Sequence, residues 1–135
     1  MNNTIPLSVV WSDFKEYHER VVNNVEEASN LVQDLLRANI SPPAMVEFFE
    51  PHSGKSLAIG VGRKDTVITF QESLDPPYYI SLGHLRDDGV TSFCSGNEDT
   101  EFLNQNVVPF APGMEALIFF VRNCERPPNI EWECL

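Results

Sequence analysis

The stretch between Ala44 and Cys94 constrains the fold most, because it alternates short apolar runs with turn residues. The runs have the usual length of β-strands and are too short for most helices. Gly62-Arg-Lys-Asp65, Pro76-Pro77 and Asp87-Asp88-Gly89 supply turn signals between them. Connections this short join antiparallel strands. The sequence therefore predicts an antiparallel meander over residues 45–50, 56–61, 66–71, 78–82 and 90–94.

A first helix is predicted over residues 25–38. Asn24 is suited to cap its N-terminus, and Glu27 stands three residues on, as in a capping box. Asn39 fits the left-handed position that follows a helix, and Pro42-Pro43 prevent continuation. The apolar residues recur at helical spacing and form one stripe, which comprises Val25, Ala28, Val32, Leu35 and Leu36.

A second helix is predicted over residues 112–123. Pro112 suits the first helical position, and Glu115 suits the positive end of the helix dipole. Its apolar face is broad, which predicts a deeply buried helix packed on the sheet. That face comprises Met114, Ala116, Leu117, Ile118, Phe119, Phe120, Val121 and Cys124.

Further strands are predicted at both ends of the chain, over residues 6–11, over residues 19–22 and around Trp132. The fold class that results is α+β, with a single largely antiparallel meander sheet and two helices packed on one face. A length of 135 residues predicts one domain over residues 1–135. The predicted core residues are Phe48, Phe70, Phe102, Phe120 and Trp132.

The charge of the chain excludes two classes of partner. The 135 residues include 20 acidic and 9 basic side chains, which gives a net charge of −11 at pH 7. Nucleic acids and anionic membranes both attract basic surfaces, so we expect neither as a partner. Because the sequence shows no apolar span and no leader at residues 1–6, we expect a cytoplasmic protein.

Short motifs give no support for a catalytic, cofactor or metal site. Gly54-Lys55-Ser56 lacks the upstream glycine and the following helix of a phosphate-binding loop, so we interpret it as a hairpin turn. The cysteines show no CxxC spacing, the histidines stand far apart, and the zinc deaminase signature is absent. The sequence therefore predicts no catalytic residue, cofactor or metal among Cys94, Cys124, Cys134, His18, His52 and His84.

The acidic residues are concentrated in the second half of the chain. Residues 1–70 have a net charge of −3, whereas residues 71–135 have a net charge of −8. A solvated surface explains this excess, and so does a docking face for a basic partner, which would also speed association. On charge alone the two interpretations stand equal. The acids that we place on loops are Asp87, Asp88, Glu98, Asp99 and Glu101.

An ordered series of short patterns runs through most of the chain. In chain order these are Val25-Glu-Glu27, Val46-Glu-Phe48, Gly60-Val-Gly62-Arg63, residues 67–70, Pro76-Pro-Tyr-Tyr-Ile-Ser-Leu-Gly83, Glu101-Phe102, Val108-Pro109, Ala116 with Phe120, and Arg126-Pro-Pro-Asn-Ile-Glu-Trp132. Together they resemble the first-numbered Imm family, the immunity proteins that accompany bacterial polymorphic toxins. The resemblance implies a small cytoplasmic α+β protein that binds a cognate toxin, with nucleic-acid deaminases among the expected targets.

Resemblance and charge together predict an immunity protein, not an enzyme, that neutralises its toxin by stoichiometric blocking through an acidic surface. A toxin that processes nucleic acid has a basic cleft, which a polyanion can occupy. The predicted contacts are the five loop acids together with Tyr78 and Tyr79. Strand alternation should expose one of the two tyrosines and bury the other, and an exposed tyrosine is a good interface anchor. Two alternatives stay open. One is a small enzyme that modifies the toxin or a small molecule, using His84 near Asp87 and Asp88; the other is a generic acidic interaction module.

Overall fold

The computed structural model describes residues 6–135, so residues 1–5 of the stretch inspected for a leader lie outside it. The described residues form eleven strands, two α-helices and a 3₁₀ turn at Asn104–Asn106. The strands are β1 (Leu7–Ser12), β2 (Tyr17–Val22), β3 (Ala44–Phe49), β4 (Ser56–Val61), β5 (Asp65–Thr66), β6 (Ile68–Gln71), β7 (Tyr78–Leu82), β8 (Val90–Ser95), β9 (Glu98–Leu103), β10 (Val108–Pro109) and β11 (Glu131–Cys134). The helices are α1 (Val25–Arg37) and α2 (Phe110–Asn123).

Nine strands form one mostly antiparallel sheet in the order β11-β7-β6-β4-β3-β1-β2, with β8 and β9 attached at β3. Within it β3, β4, β6 and β7 are successive antiparallel neighbours, which are the first four strands of the predicted meander. The fifth predicted strand, β8, does not follow β7 in the sheet, so that part of the prediction was wrong. β8 meets β3 in parallel, where Cys94 pairs with Ala44. β5 and β10 pair separately. Together with the helices, this arrangement is the predicted α+β fold.

The first helix has the predicted ends. The Asn24 side chain accepts a hydrogen bond from the Glu27 N–H at 2.8 Å and so satisfies one unpaired donor of the first turn. The Glu27 carboxylate accepts from the N–H of Asn23, at 2.9 Å, rather than from that of Asn24 as in a capping box. At the other end Asn39 has φ of 53°, the predicted left-handed conformation.

The second helix begins at Phe110, two residues before the predicted start, so Pro112 occupies the third helical position rather than the first. Proline fits there because the N–H groups of the first turn have no partner within the helix. Glu115 consequently lies beyond the first turn, and its predicted place at the positive end of the dipole is wrong. Neither helix in the described part of the chain is long and apolar enough to span a bilayer.

Both helices pack on the same face of the sheet and enclose the larger of two apolar clusters. Val32 of α1 and Leu117 of α2 are fully buried there. The ring centroid of Phe70 lies 6.0 Å from that of Phe120 and 6.2 Å from that of Trp132, so β6, α2 and β11 meet at this ring. Four predicted core residues are thus in this cluster: Phe48, Phe70 and Phe120 are buried, and Trp132 is partly buried.

The opposite face of the sheet is covered in part by the hairpin of β8 and β9. Phe93 and Phe102 of this hairpin, with ring centroids 6.2 Å apart, form the centre of a second apolar cluster. The predicted core residue Phe102 therefore packs on the face away from the helices. The other members of the cluster are Met45, Ala58, Val67, Ile80 and Val107.

β9 contains Glu98, Asp99 and Glu101, which the sequence analysis placed on a loop, and that prediction was wrong. Gly96 and Asn97 both have φ of 60°, and they join β8 to β9 in a two-residue turn. Positive φ at both positions characterises the type I′ turn, whose twist suits a hairpin. The Asn97 N–H donates to the Ser12 hydroxyl at 2.8 Å and ties the turn to β1. Glu98, Asp99 and Glu101 therefore lie on a strand.

The predicted strand over residues 66–71 is divided in two at Val67. β5 leaves the main sheet to pair with β10, while β6 continues between β4 and β7. The buried Thr66 hydroxyl donates to the carbonyl oxygen of Gly60 at 2.8 Å, which stabilises the break. β10 thereby brings the start of α2 to the end of the sheet.

Candidate functional site

The acids predicted for partner contact lie around the β8–β9 hairpin. Asp99 and Glu101 of β9 are exposed and alternate with Thr100 and Phe102, which face the sheet. Glu98 is exposed beside the turn, and Asp88 is exposed on the loop that leads into β8. We call Asp88, Glu98, Asp99 and Glu101 the hairpin acids. A six-residue strand is about 20 Å long, so the hairpin presents a long acidic surface.

The hairpin acids form no ion pair within residues 6–135, where the pairs that occur involve other acids. Arg63 reaches the same hairpin, but its guanidinium donates to the main-chain oxygen of Ser92 at 2.7 Å. The carboxylates therefore keep their charge available for a basic partner.

Asp87 is bound within the fold, unlike its neighbour Asp88. Its carboxylate accepts from the Gly89 N–H at 2.7 Å and from the Asn104 side-chain amide at 2.8 Å. Because Asn104 follows β9 directly, these bonds fasten the loop before β8 to the end of β9. We conclude that Asp87 shapes the hairpin.

Tyr78 and Tyr79 point to opposite faces of β7, as alternation predicted. Tyr78 is 37% exposed, and its hydroxyl donates to the carbonyl oxygen of Leu74 at 2.9 Å. Tyr79 is partly buried on the helix face, where the Arg126 guanidinium lies 4.3 Å from its ring centroid. Tyr78 is therefore the tyrosine that a partner can reach.

The sheet face away from the helices carries an acid to which the sequence interpretation gave no role. Glu47 of β3 pairs with Val10 of β1 on one side and with Ala58 of β4 on the other. Paired residues share a face, so Glu47 projects from the side opposite Val46 and Phe48. A charged residue between buried apolar neighbours was the signal in the sequence that could have identified it.

Glu47 lies in a groove of about 400 Å³ between the open sheet face and the inner side of the hairpin. The sheet contributes Val10, Met45, Ala58 and Thr69, and the hairpin contributes Thr100 and Phe102. The other lining residues are Trp11, Ser12, Tyr17, Ser95 and Gly96, so that Glu47 is the one charged lining residue among residues 6–135. We call this site the groove.

The environment of Glu47 disfavours its charged form. The Ser56 hydroxyl donates to the carboxylate over a long 3.5 Å. Loss of solvent within the groove raises the pKa of Glu47, and the Ser56 bond opposes this shift only in part. Although the residue as a whole is exposed, the carboxylate is thus incompletely solvated and incompletely paired.

A second concavity, of about 570 Å³, lies near the start of α2. It is lined mainly by apolar residues of β7, β10 and the chain before β11, with three titratable residues at its walls. These are His84, Asp65 and Glu131. Asp87 and Asp88, which sequence reasoning associated with His84, do not line it.

Asp13, Glu16 and His18 form a compact cluster in the β1–β2 turn, with one ligand atom of each within 4.8 Å of the others. The Asp13 carboxylate is already bonded: it pairs with His18 Nε2 at 3.0 Å and accepts the N–H groups of Lys15 and Glu16. The bond from His18, followed by those from the backbone, lowers the pKa of Asp13 to about 2. These contacts explain the cluster as a stabilised turn.

Comparison with known proteins assigns the chain to a family. No curated protein matches it at a significant level. The family profile described as "Immunity protein Imm1" matches residues 16–134, which include every strand and helix from β2 to β11. This match covers most of the chain and agrees with the resemblance carried by its motifs. The chain therefore belongs to the Imm1 family of immunity proteins.

Proposed function

We propose that this immunity protein neutralises a cognate toxin by stoichiometric binding through the hairpin acids. The toxin is proposed to be a nucleic-acid deaminase, and the encounter takes place in the cytoplasm. The protein acts as one domain and catalyses no reaction. Family membership supports the immunity role itself, and the remaining steps rest on the charge and geometry of the surface.

The observation that carries this proposal is the set of exposed carboxylates on one hairpin that lack ion pairs within residues 6–135. A toxin that acts on nucleic acid needs a basic cleft to hold phosphates. An acidic surface of matching length is attracted to that cleft and steers the encounter. The substrate is then excluded because the cleft is occupied.

Co-expression tests the proposal. Cells that produce the toxin domain encoded beside this gene should survive when they also produce this chain. A complex with one copy of each protein should co-purify, and DNA or RNA should compete with the immunity protein for the toxin. Survival without a detectable complex would contradict stoichiometric blocking.

The concavity near the start of α2, which His84 lines, is the structural feature that favours the enzymatic alternative. Under the binding mechanism, His84→Ala leaves both complex formation and protection unchanged, because His84 is not one of the hairpin acids. A variant that still binds the toxin but no longer protects cells would favour catalysis instead. Protection assays and co-purification on the same variant separate the two mechanisms.

A further inference from the structure

The groove on the open sheet face combines one acid with apolar walls. Val10 and Ala58 flank Glu47 in the cross-strand row, and Met45 and Phe102 also line the site. Apolar surface of this kind suits the aliphatic stem of a long side chain. The carboxylate suits its charged end.

Glu47 lacks a compensating charge within residues 6–135, since it is absent from the ion pairs found there. Its hydrogen bond from Ser56 is long, at 3.5 Å, and a carboxylate has room for several donors. Glu47 is exposed in the free protein, but a toxin that covers the groove would bury its carboxylate, which is costly without a partner. A cation entering the groove would therefore gain a favourable contact that the free protein leaves unmade.

The number of carboxylates favours an organic cation over a metal ion. Calcium takes six to eight oxygen ligands, and magnesium needs near-octahedral coordination. The groove supplies a single carboxylate and otherwise hydroxyl groups and apolar side chains. Its volume of about 400 Å³ is at the lower end of ligand sites, which run from about 300 to 1,000 Å³.

We infer that the groove receives a lysine or arginine side chain of the cognate toxin, with its stem against Val10, Met45 and Phe102 and its charge paired to Glu47. This inference rests on the proposed function and adds a second contact site to the hairpin acids. The two sites have separate roles. Exposed acids mainly set the rate of association, whereas an enclosed ion pair mainly slows dissociation.

The test is surface plasmon resonance with the catalytically inactivated toxin domain encoded by the neighbouring gene. Glu47→Gln keeps the shape of the side chain and removes its charge, so the complex should dissociate about tenfold faster or more. Glu19→Gln is the matched control, because Glu19 lies in the same cross-strand row, on β2, but does not line the groove. It should leave dissociation unchanged.

A second variant fills the groove with an arginine side chain of the immunity protein itself. Thr69 lines it from β6, so Thr69→Arg places a cation of the same chain beside Glu47. This variant should also weaken toxin binding, although Glu47 is intact. Thermal unfolding of each variant establishes that it is folded before binding is measured.

The outcomes separate this inference from the proposed function. If the wild-type chain does not bind the toxin domain, both fail. If reversal of the hairpin acids slows association while Glu47→Gln and Thr69→Arg bind like the wild type, the groove inference is overturned and the proposed function stands. Faster dissociation of both groove variants, with an unaffected Glu19→Gln, supports the inference.

Discussion

Gly60 shows, at the scale of single residues, how a missing side chain allows the β8–β9 hairpin to lie on the sheet. A Cβ atom at this position would stand 2.5 Å from the Phe93 ring. Phe93 is almost completely buried and belongs to the cluster between hairpin and sheet. Close approach of the ring to the backbone of β4 therefore depends on glycine.

We predict that Gly60→Ala destabilises the protein by about 1–3 kcal/mol, the usual cost of forcing an extra group into a packed core. Urea unfolding followed by tryptophan fluorescence measures the difference. Phe93→Leu in the same background should restore part of the loss, because it removes the ring that clashes. Wild-type stability of Gly60→Ala would show that the hairpin moves away without cost.

The Asp13–His18 pair makes a second prediction at this scale, about pH. The pKa of Asp13 is lowered from 3.8 to about 2 by the His18 bond and by two backbone N–H groups. A carboxyl group with a lower pKa in the folded state favours folding above its ordinary pKa, and this contribution disappears as the pH falls towards 2. Asp13→Asn should therefore show a smaller loss of melting temperature between about pH 4 and about pH 2 than the wild type.

Circular dichroism melts over that range check the result. Asp88→Asn is the control, because Asp88 is an exposed aspartate on a different loop. It should keep the wild-type dependence on pH. Equal pH dependence of Asp13→Asn and the wild type would mean that the turn does not contribute.

Sequence reasoning at the residue scale could identify acids but not their environments. Asp87 and Asp88 are adjacent and chemically alike, yet only Asp87 is bonded to Asn104, 17 residues away. Glu47 was recognised as part of a strand, but its groove is completed by Phe102 of a distant strand. Contacts between residues this far apart in the sequence depend on the tertiary structure, and a local sequence pattern does not predict them.

At the scale of elements, α1 depends on the cap that its sequence predicted. Asn24→Ala should destabilise the protein by about 1 kcal/mol, because the Glu27 N–H loses its acceptor. Chemical unfolding measures the change. Asn30→Ala, on the exposed side of the same helix, is the matched control and should be neutral or slightly stabilising. A similar loss in both variants would argue against a specific role of the cap.

The elements that sequence reasoning identified are those with clear periodicity, such as α1, β4 and β7. β9 was missed because Glu98-Asp-Thr-Glu101 consists mostly of residues depleted in strands, without apolar alternation. It forms a strand because the Gly96-Asn97 turn directs it along β8, whose Phe93 is held in the core. The Gly-Asn pair was the available hairpin signal. The start of α2 was misplaced because the whole first turn of a helix tolerates proline, so Pro112 did not have to be its first residue.

At the scale of the whole molecule, the position of the acids matters as well as the net charge of −11, because four exposed acids lie on or beside one hairpin. We predict that replacing all four hairpin acids by lysine lowers the association rate with the toxin domain by about tenfold or more at low salt and weakens its dependence on salt. Asp87 is left unchanged, because it holds the hairpin together. Stopped-flow association over a salt series measures both effects.

The control reverses an equal number of exposed acids elsewhere, which are Glu26, Asp75, Glu115 and Glu125. This variant has the same net charge as the hairpin variant. If position matters, its association with the toxin should remain closer to that of the wild type. Equal slowing in both variants would assign the effect to total charge and leave the hairpin as an ordinary solvated surface.

β9 pairs with β8 alone among the described strands, so one row of its N–H and C=O groups remains open to a strand of another molecule. Carboxylates at Asp99 and Glu101 repel an identical edge at neutral pH. Near the sequence pI of about 4.5 the net charge approaches zero, so we expect repulsion between copies to weaken there. The acids that we propose for toxin binding would thus also keep copies of this protein from pairing through the edge of β9.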